Sequence, residues 1–333
     1  MSDADRRLPL SFLPLPTIAQ QRVIALLVLI AQAGIAVTGS IVRVTGSGLG
    51  CDTWPQCHEG SFTPVAGAAP WIHQAIEFGN RLLTFVLAAL TLIMFLAVLR
   101  AGRRKAILWL AFLNGLGIIV QAVIGGISVL VDLTWYSVGL HFLATIVLVW
   151  LAGMLYVKVQ EPDDGHPVRI YAKPLRDLAG ASALALTATL VTGTMVTGAG
   201  PHAGDASISP EDRLQLPIIE LSHVHAGFMY LYLGMSIGLV VALIAMKADQ
   251  GLRKWGWWLV ALILAQGAVG MVQYWAGVPE ALVPVHVAGS VALTAVTAVL
   301  WQLGWRHAGG TATATGSPAG DAEHNSAKAK VAA

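Results

Sequence analysis

The sequence predicts an all-α integral membrane protein of eight transmembrane helices, arranged as two parallel-repeat four-helix bundles. Three observations predict this fold class. Apolar residues make up 56% of the chain and charged residues only 11%, giving a mean hydropathy of +0.69. The apolar residues fall in long continuous runs instead of short alternating ones. Motifs of the first half recur, in the same order, in the second.

A soluble domain of 333 residues needs far more polar surface than this composition supplies, so lipid is the solvent for most of it. Crossing a bilayer core takes roughly 20 apolar residues in a helix. Runs of about that length lie near 23–43, 72–99, 106–131, 136–157, 177–198, 217–246, 254–276 and 283–305. A membrane barrel would instead show short segments of alternating hydrophobicity. The breaks carry turn and charge chemistry, as in AGRRK, EPDDGHP, KADQGLRK and GVPE.

The runs divide the chain into a cytoplasmic N-terminal segment (1–22), a first four-helix half (23–157), a cytoplasmic linker (158–176) and a second half (177–305). A low-complexity tail (306–333) is expected to be disordered. Residues 1–22 are polar, Pro-rich and basic, and do not read as a cleavable signal. Lys and Arg counts set the orientation. With the N-terminus in the cytoplasm, 17 of the 20 basic residues lie inside, leaving Arg43, Arg81 and Arg213 on or near the other side. Both termini are thus expected in the cytoplasm of a multi-pass cell-membrane protein, with loops 44–71 and 199–216 exoplasmic. The basic residues form no patch, which excludes a nucleic-acid partner.

The repeat is visible in three places. VTGSGLGCD, ending at Asp52, follows the first run, and VTGAGPHAGD, ending at Asp205, follows the fifth. Glu77-Phe-Gly-Asn80 in the second run parallels Glu220-Leu-Ser-His223-Val-His225 in the sixth. Val138-Gly-Leu-His141 opens the fourth, and Val283-Pro-Val-His286 the eighth. His141 follows Asn80 by 61 positions, and His286 follows His225 by 61. An even number of helices per half gives both halves one orientation, about an axis along the membrane normal.

Cys51 and Cys57 are the only cysteines, both in the first exoplasmic loop. Two thiols so close on an oxidising face read most simply as a structural disulfide. A redox-active pair perturbed by Trp54, Pro55 and His58, or a metal site including His58, are the alternatives.

His141, His223, His225 and His286 lie in apolar helices near the outer boundary. Polar groups inside a membrane are costly and usually face a bundle interior. Imidazoles at one depth on neighbouring helices suit axial haem ligation. Ala226, Gly227, Ala288 and Gly289 beside them would leave room for a flat macrocycle. His223 and His225 lie about 200° apart around a helix, so only one can share a pocket with His286. The 61-residue interval favours His225, the Glu-x-x-His pattern favours His223, and both stay candidates. In the second run His73, Glu77, Asn80 and Arg81 share one helical face. There Glu77 and Arg81 read either as an internal ion pair or as a proton carrier beside a carboxylate clamp. His166, His307 and His324 fall in polar cytoplasmic stretches. His58 and His202 read as surface residues or as covers for a ligand.

The run VTGSGLGCDTWPQC, the motif IEFGNRLL, His141, the His223/His225 pair and His286 together resemble the haem A synthase family. The resemblance covers all eight helices but neither terminus. It implies oxidation of the C8 methyl of haem O to a formyl group by successive hydroxylations. It also implies haem b held in the second half by His286 with His223 or His225, and haem O bound in the first half by Glu77, Asn80 and His141. A Cys51–Cys57 disulfide is implied too, and Arg81 beside Glu77 suits a haem propionate. Many family members carry histidine where this chain has Asn80, a poor iron ligand. Either His141 is the sole substrate-side ligand, which leaves iron an open position, or His73 substitutes for Asn80. Haem O synthase and terminal-oxidase assembly factors are the implied partners, beside membrane lipid and an electron donor that the sequence does not identify; a homo-oligomer is left open. A di-haem b-type cytochrome and a haem transporter or chaperone are the competing readings. The first needs matched ligand pairs, which Asn80 breaks; the second needs mid-membrane helix breaks, which are absent from these runs.

Overall fold

The computed structural model describes residues 10, 12–204 and 209–308. Asp205, His324 and the chain beyond 308 lie outside them. Eight long helices follow in order: α1 (Ile18–Val44), α2 (Trp71–Arg100), α3 (Lys105–Leu130), α4 (Trp135–Lys158), α5 (Lys173–Ala199), α6 (Ile218–Ala245), α7 (Gln250–Trp275) and α8 (Leu282–Leu303). All eight are long and apolar enough to cross a membrane. Thr17 and Gln20 start α1 with reciprocal capping bonds. Asp249 starts α7 by accepting from the Leu252 N–H at 3.1 Å. Gly102 and Gly277 take positive φ (63° and 73°) in the tight α2–α3 and α7–α8 turns, a conformation that favours glycine.

Helix contacts close each half into a ring: α1–α2–α3–α4 back to α1, and α5–α6–α7–α8 back to α5. The halves meet through α4 against α8, flanked by α1 on α8 and α4 on α5. Small residues allow the central crossing: a Cβ on Gly153 would stand 3.0 Å from the Ala298 Cβ and 3.3 Å from the Ala295 carbonyl. Adding 145 to several buried positions of α2–α4 lands on buried positions of α6–α8. Met94 maps to Leu239, Val98 to Leu243, Ile118 to Ile263, Leu148 to Leu293 and Leu155 to Leu300.

One buried polar layer breaks that correspondence in chemistry at Asn114. Gln32 of α1, Thr91 of α2 and Asn114 of α3 are at most 2% exposed. They lie between an apolar cluster around Val28, Met94 and Ala111 and another around Leu87, Ile118 and Leu148. Asn114 corresponds to Leu259, which sits in the apolar core of the second half.

Loops 45–70, 131–134, 200–217 and 276–281 share one end of the bundle, where α2, α4, α6 and α8 begin. The opposite end departs from expectation. The segment read as a polar linker forms strand β1 (His166–Arg169), paired antiparallel with β2 (Trp305–Ala308). The first positions of the expected disordered tail, with His307, therefore belong to a ribbon. Tyr171 donates from its hydroxyl to the Leu300 carbonyl at 3.1 Å. Arg176 stacks on Trp301 at 3.4 Å. Arg103 donates to Gln21, Asp163 and the carbonyls of Val159 and Glu161, while Arg104 pairs with Glu161. Four-residue strands are too short to leave a periodic signal, and the contacts that order them come from distant positions.

Candidate functional site

In the second half, His225 of α6 and His286 of α8 face each other with ring centroids 6.4 Å apart. His225 donates from Nδ1 to the Thr189 carbonyl of α5 at 2.8 Å. That bond fixes the tautomer and leaves Nε2 unprotonated, as a metal ligand must be. Each ring lies edge-on against a glycine of the next helix. A Cβ on Gly193 would stand 3.0 Å from the His225 Cε1, and one on Gly270 3.2 Å from the His286 Cε1. Behind His286, Gln266 of α7 donates to the His286 carbonyl at 2.7 Å and to the Ser290 hydroxyl at 3.3 Å. Gly289, expected to leave room for a macrocycle, instead receives the Gln266 amide.

These residues fit a haem iron. With metal–imidazole bonds of about 2 Å and ring centres about 1 Å behind the nitrogen, two trans imidazoles place their centroids roughly 6 Å apart. The buried His286 Nδ1 has no hydrogen-bond partner in the protein. His223 faces away: it is exposed and lies beside Tyr274, with centroids 6.5 Å apart. Glu220 is exposed as well, whereas Glu77 is buried. The Glu-x-x-His pattern therefore does not align the halves in space. The common offset matches Asn80 to His225 and Glu77 to Ser222.

The first half repeats the arrangement with one change. His141 of α4 lies against Gly125 of α3, where a Cβ would stand 3.0 Å from its Cε1. Gln121 donates to the His141 carbonyl at 3.2 Å and to Thr145 at 2.6 Å. Gln121, Gly125, His141 and Thr145 thus correspond one for one to Gln266, Gly270, His286 and Ser290. The buried His141 Nδ1 likewise lacks a protein partner. Where His225 stands in the second half, the first has Asn80, whose side-chain oxygen accepts from Thr38 at 2.7 Å. Sequence reading missed the two glutamines and the facing glycines. The signal was available as Q-x3-G, 20 positions before H-x3-S/T, in both halves.

Above this site the first loop is clamped down. Cys51 and Cys57 form a disulfide and are 0% and 1% exposed, which leaves no thiolate for a metal and little access for a reductant. Arg81 donates to Glu77 at 2.9 Å and to the carbonyls of Cys51, Thr53 and Gln56 at 3.0–3.1 Å. The residue expected to clamp a propionate is thus engaged with the loop. His58 is buried, not a surface residue, and its two ring nitrogens face Asp52 and Gln74, each at 2.9 Å. Gln74 in turn donates to the carbonyls of Val65 and Ala69. His73 donates from Nδ1 to the Gly46 carbonyl at 2.9 Å, so one side of its ring is bound to the loop. Trp54 lies over Gly126 of α3. In the second half His202 bonds the Val278 carbonyl at 3.1 Å.

Comparison with known proteins gives a consistent result. Residues 22–300 match the COX15-CtaA family, described as cytochrome oxidase assembly protein. A heme A synthase of Staphylococcus haemolyticus (strain JCSC1435) is 28% identical over 179 residues, covering 52% of this chain and 57% of that protein. A heme A synthase of Lysinibacillus sphaericus (strain C3-41) is 34% identical over 140 residues, covering 40% of this chain and 44% of that protein. The chain therefore spans about half the length of the curated relatives it matches.

Proposed function

The chain belongs to the COX15-CtaA family of cytochrome oxidase assembly proteins, and on that premise we propose that it is a haem A synthase, converting the C8 methyl of haem O to a formyl group. The observation that carries this reading is the asymmetry between two otherwise corresponding sites. One has a facing imidazole pair, His225 and His286, 6.4 Å apart; the other has His141 with Asn80 in place of the second imidazole.

In this reading His225 and His286 hold haem b in the second half, and His223 does not. Haem b bound there would supply one-electron redox chemistry. His141 binds the iron of substrate haem O in the first half. Asn80, held by Thr38, leaves the opposite face free for oxygen chemistry, which a second strong ligand would block. Glu77 is the essential carboxylate. It is buried at the outer end of the substrate half, where a carboxylate can accept and pass on a proton. Arg81 acts as a positioning residue, fixing the Glu77 carboxylate and tying it to the disulfide loop, which excludes water from above. The corresponding topology has both termini in the cytoplasm and the Cys51–Cys57 loop exoplasmic in the cell membrane. The partners in this reading are haem O synthase, terminal-oxidase assembly factors and an electron donor.

The test is co-expression with a haem O supply, followed by haem extraction. Haem A or its hydroxylated precursor is expected. Recovery of haems B and O alone under aerobic conditions would sink the reading.

A further inference from the structure

A groove of about 630 Å³ on the outer surface of α6 and α7 lies at the ribbon end, away from His225 and His286. Its α7 wall presents Gln250, Arg253, Lys254, Trp257, Trp258 and Ala261, and α6 contributes Ile244. We propose that this groove is a binding site for one anionic phospholipid. The phosphate sits at Arg253 and Lys254, and the acyl chains lie across Trp257 and Trp258.

The order of side chains along α7 carries the argument. Amide and basic groups occupy the first turn, two indoles follow one turn deeper, and a small apolar residue comes last. A phospholipid presents the same sequence of chemistries from headgroup through ester region to hydrocarbon. Arg253 and Trp257, like Lys254 and Trp258, are four positions apart, so each cation stands directly above an indole. Trp257 and Trp258 are 56% and 57% exposed, although each is large and apolar. Tryptophans in such positions settle at the boundary of headgroup and hydrocarbon.

The cations are also uncommitted. Among the described residues, neither Arg253 nor Lys254 has a carboxylate within ion-pair distance. The Arg253 Nε is shielded from solvent without a hydrogen-bond partner in the protein. Among the described residues, no acidic one lines the groove. The nearby Asp249 is turned to the Leu252 N–H and, at 3.8 Å, to Arg306. The fold does not require the basic pair: the corresponding positions of α3 are Leu108, Trp109, Phe112 and Leu113. Both halves present aromatic residues to the surface here; the second carries its cations at 253 and 254, whereas the first has Lys105 one turn before Trp109. Basic surfaces at this depth select anionic headgroups, each Lys or Arg contributing about 1 kcal/mol.

Native mass spectrometry of the full chain in detergent, with added phosphatidylglycerol or phosphatidylcholine of equal chain length, tests the site. The expected result is one phosphatidylglycerol retained at collision energies that strip phosphatidylcholine. The Arg253→Gln/Lys254→Gln variant should retain it roughly 30-fold less, with helix content by circular dichroism unchanged. Equal retention of both lipids by the unmodified chain overturns the proposal, as does undiminished phosphatidylglycerol retention in the variant. A dimer mass lost in the variant would identify a second copy as the occupant and overturn it too. If the variant fails to fold, the comparison of the two lipids on the unmodified chain decides alone.

Discussion

At the scale of single residues, the haem reading turns on which imidazoles face one another. His225 and His286 are 6.4 Å apart, and His223 points away toward Tyr274. His225→Ala should therefore abolish the haem b spectrum of the purified protein, while His223→Ala keeps it; the reverse pattern would exchange their roles. Glu77→Ala should remove haem A and its hydroxylated precursor from extracts while leaving bound haem b intact. Loss of haem b in that variant would mark Glu77 as structural. The sequence placed Glu77 and Arg81 on one face of a helix, and the structure joins them at 2.9 Å. It could not reveal that Arg81 also reaches three carbonyls of the preceding loop, because those bonds depend on how the loop folds back.

At the scale of elements, α3 and α7 each present a glycine edge-on to the histidine of the following helix. A β-branched side chain there would strike the ring. Gly270→Val should weaken haem b retention roughly 10- to 100-fold, as loss of support around a metal ligand does. Gly125→Val, at the corresponding place in α3, should leave haem b in place and lower product formation instead. Equal effects of both on haem b would contradict the division into cofactor and substrate halves. The first loop offers a separate test. Its disulfide closes few residues, so the Cys51→Ser/Cys57→Ser variant should lose about 2 kcal/mol of stability by the chain-entropy estimate. The exchange should leave haem b content unchanged, because the loop covers the other half; a large loss of haem b would show that the loop serves both.

At the scale of the whole molecule, the departures from internal repetition are the informative positions. Asn114 is buried in the first half where the second has Leu259, and its Oδ1 has no hydrogen-bond partner in the protein. Its Nδ2 donates to the Leu110 carbonyl at 2.8 Å; Asn114→Leu should still raise thermal stability by about 1 kcal/mol if the unpaired Oδ1 is only a desolvation cost, and an unchanged or lower melting temperature would rule that out. Asn80→His restores the pattern of the second half and should add a second low-spin haem signal; an unchanged spectrum would show that position 80 does not reach the substrate iron. The helices and their order were legible in the sequence, because a segment of about 20 apolar residues has one way to satisfy its backbone in lipid. Apolar periodicity also marked the depth of His141, His225 and His286. What only the tertiary structure decided is which way each polar side chain turns and what it meets. Which of His223 and His225 lies against His286, the engagement of Arg81 with the loop, and the β1–β2 ribbon all depend on partners far away in sequence. Composition records that a residue is costly to bury, but packing alone determines which neighbour offsets that cost.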